Sequence, residues 1–109
     1  MKKFYLFQIN LTDEDYEIAE YKNRYLNTMM KPNEDAIREA AAMYQMVAEI
    51  DANDLDEVFE IGNIGPEKNI KRLKPMHSVS VGDVILDSVG NAFFVDNYGF
   101  GTVSFEGVK

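Results

Sequence analysis

The chain has 109 residues, 46% of them apolar and 12% aromatic, which suits one domain spanning 1–109 with a single packed core. It has no cysteine and one histidine, which excludes a disulfide framework, a thiol nucleophile and a Cys- or His-built zinc site, so no metal or cofactor is expected. Nineteen acids against eleven bases leave a net charge of −8, a balance that repels phosphate and disfavours direct nucleic-acid binding.

In chain order, "KKFYLFQIN" reads as a first strand. Phe4, Leu6 and Gln8 share one face, and Tyr5, Phe7 and Ile9 share the other. With both faces largely apolar, the strand is expected to be central or covered on each side. The run is too short to span a membrane and no small-residue cleavage site follows it. A cytoplasmic location without membrane contact is therefore expected, in keeping with the missing cysteines.

An acidic helical segment occupies 11–42. Thr12 and Asp15 have capping-box spacing, and Asp13, Glu14 and Asp15 sit where the helix dipole favours negative charge. A helix over 13–29 follows, with a wide apolar face made of Tyr16, Ala19, Leu26 and Met30 beside Ile18, Tyr21, Tyr25 and Met29. Pro32 ends it, and Asn33 caps a second short helix over "EDAIREAAA".

"MYQMVAEIDA" carries good helix formers, yet it alternates over 46–50, and a strand over 44–50 is expected. "NDLDEVFEIGN" gives a helix over 53–61. Asn53 is its cap, Leu55, Val58 and Phe59 form its apolar spacing, and Gly62 takes the left-handed position after it. Residues 63–78 read as a long polar loop. "GDVILD" and "NAFFVDN" form a hairpin through Ser88-Val89-Gly90-Asn91, and "GTVSFEG" adds a last strand.

The predicted fold class is α+β, a small, mostly antiparallel sheet with helices packed on one face. The expected core is Phe4, Leu6, Leu26, Val47, Leu55, Val58, Phe59, Val84, Leu86, Phe94 and Val95.

The chemistry-bearing residues concentrate in "MHSVSVGDVI" and "FFVDNYGF". His77 stands alone, and Ser78 and Ser80 lie on no strand-to-helix elbow, so a Ser–His–acid nucleophile lacks its usual setting. Gly82 and Asp83 have a structural account as turn residues preceding a strand. An enzyme would need His77, Ser80, Asp83, Asp96 and Tyr98 to converge on a cleft, and no catalytic residue is assigned. Asp51 and Asn53 begin like a calcium loop, but Leu55, Asp56 and Gly62 break its pattern.

The stretch "VAEIDANDLDEVFEIGNIGPEKNI", followed by "RLKPMHSVSVGDVI" and "FFVDNYGF", resembles the small YodL-like proteins. These are short accessory proteins of phages, plasmids and conjugative elements. The resemblance covers roughly residues 46–100 and rests on the strand, the "LDEVF" helix with its "GN", the turn with Ser78, Ser80, Gly82 and Asp83, and the strand ending in Asp96, Gly99 and Phe100. It implies a strand at 44–50 and an accessory role, and it prescribes no activity.

Two readings of function follow. In the first, the chain is a non-enzymatic accessory protein that binds and modulates a host protein, one handling nucleic acid being the natural target. Its acidic surface, Asp13, Glu14, Asp15, Glu17, Asp54, Asp56 and Glu57, would imitate a phosphate backbone. In the second, the basic loop 66–77 contacts phosphates through Lys68, Lys71, Arg72 and Lys74, with Tyr98 or Phe100 stacking a base.

Overall fold

The computed structural model describes residues 1–104. Six strands form one sheet: β1 (Lys2–Ile9), β2 (Tyr44–Ala52), β3 (Ile70–Arg72), β4 (Val84–Leu86), β5 (Ala92–Asp96) and β6 (Gly99–Val103). Every pairing is antiparallel and the order is β3-β2-β1-β4-β5-β6. The helices are α1 (Asp13–Glu17), α2 (Ala19–Met30), α3 (Glu34–Glu39) and α4 (Leu55–Asn63). The fold is α+β.

β1 lies at the centre of the sheet because both its faces are apolar and both are covered. Phe4 and Leu6 join Ala48, Ile50, Val58, Ile61, Ile85 and Val95 in one cluster. Phe7 and Ile9 join Ile37, Ala40, Tyr44, Val84 and Phe94 in another. The helices are accordingly not confined to one face. α4 covers the first cluster, while α3 and the C-terminal part of α2 cover the second. A sheet with two apolar faces needs a lid on each.

The register of β1 against β2 shifts between Leu6 and Phe7, leaving Val47 as an extra residue in β2. The Val47 carbonyl accepts from the Leu73 and Lys74 N–H groups at 2.9 and 3.2 Å, which ties down the chain just after β3.

Several local expectations shift. The helix over 13–29 breaks at Ile18, which is extended at φ −81° and ψ 109°. Like charges at Glu14, Glu17 and Glu20 recur at i,i+3, and a solvent-exposed β-branched residue adds no packing to offset them. The capping box of Thr12 with Asp15 forms as expected.

α4 is capped by Asp54 rather than Asn53, its Oδ1 accepting the Glu57 N–H at 2.8 Å. Gly62 lies inside α4, where its bare face admits Val79, and a Cβ there would sit 2.2 Å from Val79 Cγ2. Ser78 and Ser80, whose alternation with Val79 and Val81 reads as a half-buried or edge strand, belong to no strand. The stretch 63–78 is not all loop, for it contains a 3-10 turn at Glu67–Asn69 and β3. β6 begins at Gly99, and the part of the last expected strand from 105 onward lies outside the described residues.

Of the expected core, Phe4, Leu6, Val47, Val58, Val84, Phe94 and Val95 are buried. Leu26, Leu55 and Leu86 are half-buried. Phe59 is 40% exposed, because α4 turns Leu55, Val58 and Ile61 to the sheet and Phe59 therefore points outward.

Candidate functional site

The segment from Pro75 to Asp83 crosses the end of β1 and is held there by side chains of that strand and the residue after it. Gln8, fully buried, uses both ends of its amide. Its Oε1 accepts the His77 N–H at 3.1 Å, and its Nε2 donates to the His77 carbonyl and to Asp83 Oδ2, each at 2.9 Å. Asn10 Nδ2 adds a bond to the Pro75 carbonyl at 3.0 Å. A buried amide with this many partners fixes the loop rather than leaving a polar group stranded.

Asp83 lies at the centre of this network. It is buried, and its Oδ2 also accepts the Ser80 N–H at 2.9 Å. Burial pushes its carboxyl up to about 6, against the pull of the Ser80 N–H, the Gln8 amide and His77. Nearby, Tyr44 donates its hydroxyl to the Gly82 carbonyl. Burial first, and then the Asp83 charge, raise the Tyr44 hydroxyl, and the same causes raise Tyr25. Both tyrosines therefore stay protonated donors at neutral pH.

Gly82 is the point where this loop meets α2. It has φ +91°, and a Cβ there would lie 2.6 Å from the Thr28 carbonyl oxygen, so a side chain is disfavoured by both conformation and space. Thr28, Tyr25 and Met29 of α2, with His77, Ser80 and Asp83, line a cavity of about 110 Å³.

The structure thus brings together three of the five residues an enzyme reading requires. Asp96 and Tyr98 line a different groove, beside Phe59 of α4. Within the cavity no base is aimed at a hydroxyl. The Ser80 hydroxyl donates to the Ser78 carbonyl at 2.8 Å. His77 Nδ1 lies 2.8 Å from that same carbonyl and 3.2 Å from Gln8 Nε2, so its contacts are with the loop itself and with β1. What the arrangement does chemically is clamp a loop and keep one carboxyl in a low-polarity setting. Among the described residues no three His, Asp or Glu side chains are grouped as a metal ion would need.

The acidic residues do not form one patch. β1 ends beside the start of α1, whereas the pairing of Lys2 with Ala52 puts the start of α4 at the opposite end of the sheet. The eight residues of β1 separate these ends by roughly 25 Å at the usual strand rise. Asp13, Glu14, Asp15 and Glu17 therefore act apart from Asp54, Asp56 and Glu57. Asp15, Asp54 and Glu57 are also engaged in capping α1 and α4.

The basic segment is an edge of the sheet. Arg72 Nη2 meets Glu67 Oε2 at 3.0 Å, a pairing that raises Arg72 and lowers Glu67 from their ordinary values. Lys71 and Lys3 share Glu49 at 3.6 and 3.4 Å. Among the described residues, only Lys68 and Lys74 of that cationic group have no acid partner.

Sequence reasoning missed Gln8 as the organiser of this region. Its only signal was a polar residue on the strand face otherwise occupied by Phe4 and Leu6. Comparison with protein-family models, curated proteins and solved structures gives no significant match.

Proposed function

We propose that the protein is a non-enzymatic accessory protein, of the kind carried by mobile elements, that acts in the cytoplasm by binding and modulating a host protein. The observation that carries this reading is the surface of α1 and the start of α2. Thr28 is the only buried residue of the two helices. Tyr16, Ile18 and Tyr21 stand 42%, 46% and 37% exposed, and Met30 reaches 72%.

The stripe made of Ile18, Tyr21, Tyr25 and Met29 is covered at its C-terminal end, where Tyr25 and Met29 line the cavity above Asp83. It is bare at its N-terminal end. Asp13, Glu14, Glu17 and Glu20 are exposed in the same stretch of chain, Glu20 in an ion pair with Arg24. Helices this short draw their stability from packing, so an apolar face left open beside concentrated charge suits a protein partner with a basic surface. Imitation of a phosphate backbone, in this reading, rests on the α1 acids alone, since those of α4 lie at the far end of the sheet. Because two members of the basic segment are neutralised by Glu49 and Glu67, nothing favours it as a nucleic-acid site.

The test is capture from host lysate at two salt concentrations, using the wild-type chain and an Ile18→Asp/Tyr21→Asp variant. A protein held by the wild type, lost with the variant, and released as salt rises supports the reading. A partner retained equally by both chains removes α1–α2 as the surface, and salt-independent retention removes the mimicry of phosphate.

A further inference from the structure

A second feature lies on the opposite face, independent of the α1–α2 surface. α4 and the β5–β6 turn enclose a groove of about 320 Å³, at the small end of ligand sites. Three aromatic side chains line it: Phe59 from α4, and Tyr98 and Phe100 from the turn and the start of β6. Two carboxylates line it as well, Asp56 and Asp96.

The fold does not account for the two most exposed of these aromatics. Phe59 points away from the sheet while Leu55, Val58 and Ile61 do the packing. Tyr98 sits at the tip of a two-residue hairpin turn between Asp96 and Gly99 and is fully exposed. Its ring projects into solvent and contributes nothing to the core. The carboxylates are also uncommitted to cations. Among the described residues no lysine or arginine forms an ion pair with Asp56 or Asp96. Among the described residues, the Asp96 side chain accepts only the N–H of its neighbour Asn97, at 2.7 Å.

Open aromatic faces beside unpaired carboxylates are complementary to an organic cation. The chain makes this pairing internally elsewhere, with Lys22 Nζ 5.0 Å from the centre of the Tyr16 ring. We infer that the groove formed by Asp56, Phe59, Asp96, Tyr98 and Phe100 is a binding site for an arginine side chain of a protein partner. The guanidinium fits better than an ammonium because it is planar. It stacks on the rings through its face while its N–H edge reaches a carboxylate through parallel hydrogen bonds. One such side chain supplies weak affinity by itself, and specificity for a partner that presents an arginine at this point.

The experiment is an amide NMR titration of the full chain with the blocked tripeptide Gly-Arg-Gly, run beside Gly-Lys-Gly and the uncharged isostere Gly-citrulline-Gly. The expected result is saturable shifts confined to 55–60 and 95–101 with the arginine peptide, several-fold weaker binding of the lysine peptide, and none with citrulline. Tyr98→Ala and Asp96→Asn lie on an exposed turn, and their spectra report directly whether the fold is kept. Each is expected to weaken arginine binding by about two- to five-fold, the size of an exposed cation–π or charged contact. Equal binding of lysine or citrulline, shifts centred on α1 instead, or no shifts at all would overturn the inference. None of these results bears on the Ile18/Tyr21 test, so the two proposals fail separately.

Discussion

α4 and α2 are both acidic at their N-termini and both carry apolar residues at helical spacing, yet they are used differently. α4, with nine residues, buries Val58 and Ile61 and lays Leu55 against the sheet. α2, with twelve, buries only Thr28. A helix shaped by packing commits its apolar side chains to the core. The apolar residues of α2 that face water have no such role in the fold, and the partner proposed above would give them one.

The largest expected effect comes from breaking the close contact between α2 and the loop at Gly82. Gly82→Ala combines a left-handed backbone with contact against the Thr28 carbonyl, and it should cost more than about 3 kcal/mol. Urea unfolding measures this. Near-wild-type stability would mean that α2 is not held at this point.

Next is Asp83, under the same end of α2. Its folded carboxyl titrates at about 6 against an ordinary 3.8, so the folded chain retains a proton that the unfolded chain releases. The stability it contributes is full below about pH 3.8 and is lost as pH rises through about 6. The change is at most about 3 kcal/mol. Asp83→Asn keeps an oxygen for the Ser80 and Gln8 donors, so it should flatten the stability profile across that window and leave the variant more stable at neutral pH. Urea midpoints measured across pH decide this, and a slope that survives the substitution would belong to another group.

The smallest effects sharpen the contrast itself. Val58→Ala should cost about 2 kcal/mol by opening the core under α4, whereas Tyr21→Ala should stay within about 0.5 kcal/mol of wild type. A loss for Tyr21→Ala as large as that for Val58→Ala would make Tyr21 a packing residue and remove the case for a docking face.

What the sequence made legible was local. The alternation at 46–50, the Thr12–Asp15 box, the Asn33 cap and the hairpin at Ser88–Asn91 each depend on neighbours within a few residues, and each appears in the fold. Phe59 was misread because i,i+4 spacing from Leu55 competes with i,i+6, and only the tilt of α4 on the sheet selects Ile61. Asn53 and Asp54 are both good caps, and the choice between them follows from where β2 ends.

The candidate site was less visible. Gln8 finds its partners 69 and 75 residues further along the chain, a pairing no local pattern encodes. The groove joins Phe59, read in the sequence as a core residue, to Asp96, Tyr98 and Phe100 from a segment about forty residues further along the chain. The break at Ile18 was hidden because a continuous apolar stripe reads as one helix whether or not anything covers it.

β3 has a consequence beyond its ion pairs. A sheet ends in a row of backbone donors and acceptors that any extended chain can complete, and such edges are where protein molecules begin to stack into insoluble aggregates. Here that edge is three residues long, and its charged Lys71 and Arg72 are held in place by Glu49 and Glu67. An incoming strand would find little backbone to pair with and would have to displace those charges. The stretch that reads in the sequence as a basic loop thus forms a short, charged edge that offers a neighbouring strand little to pair with on this side.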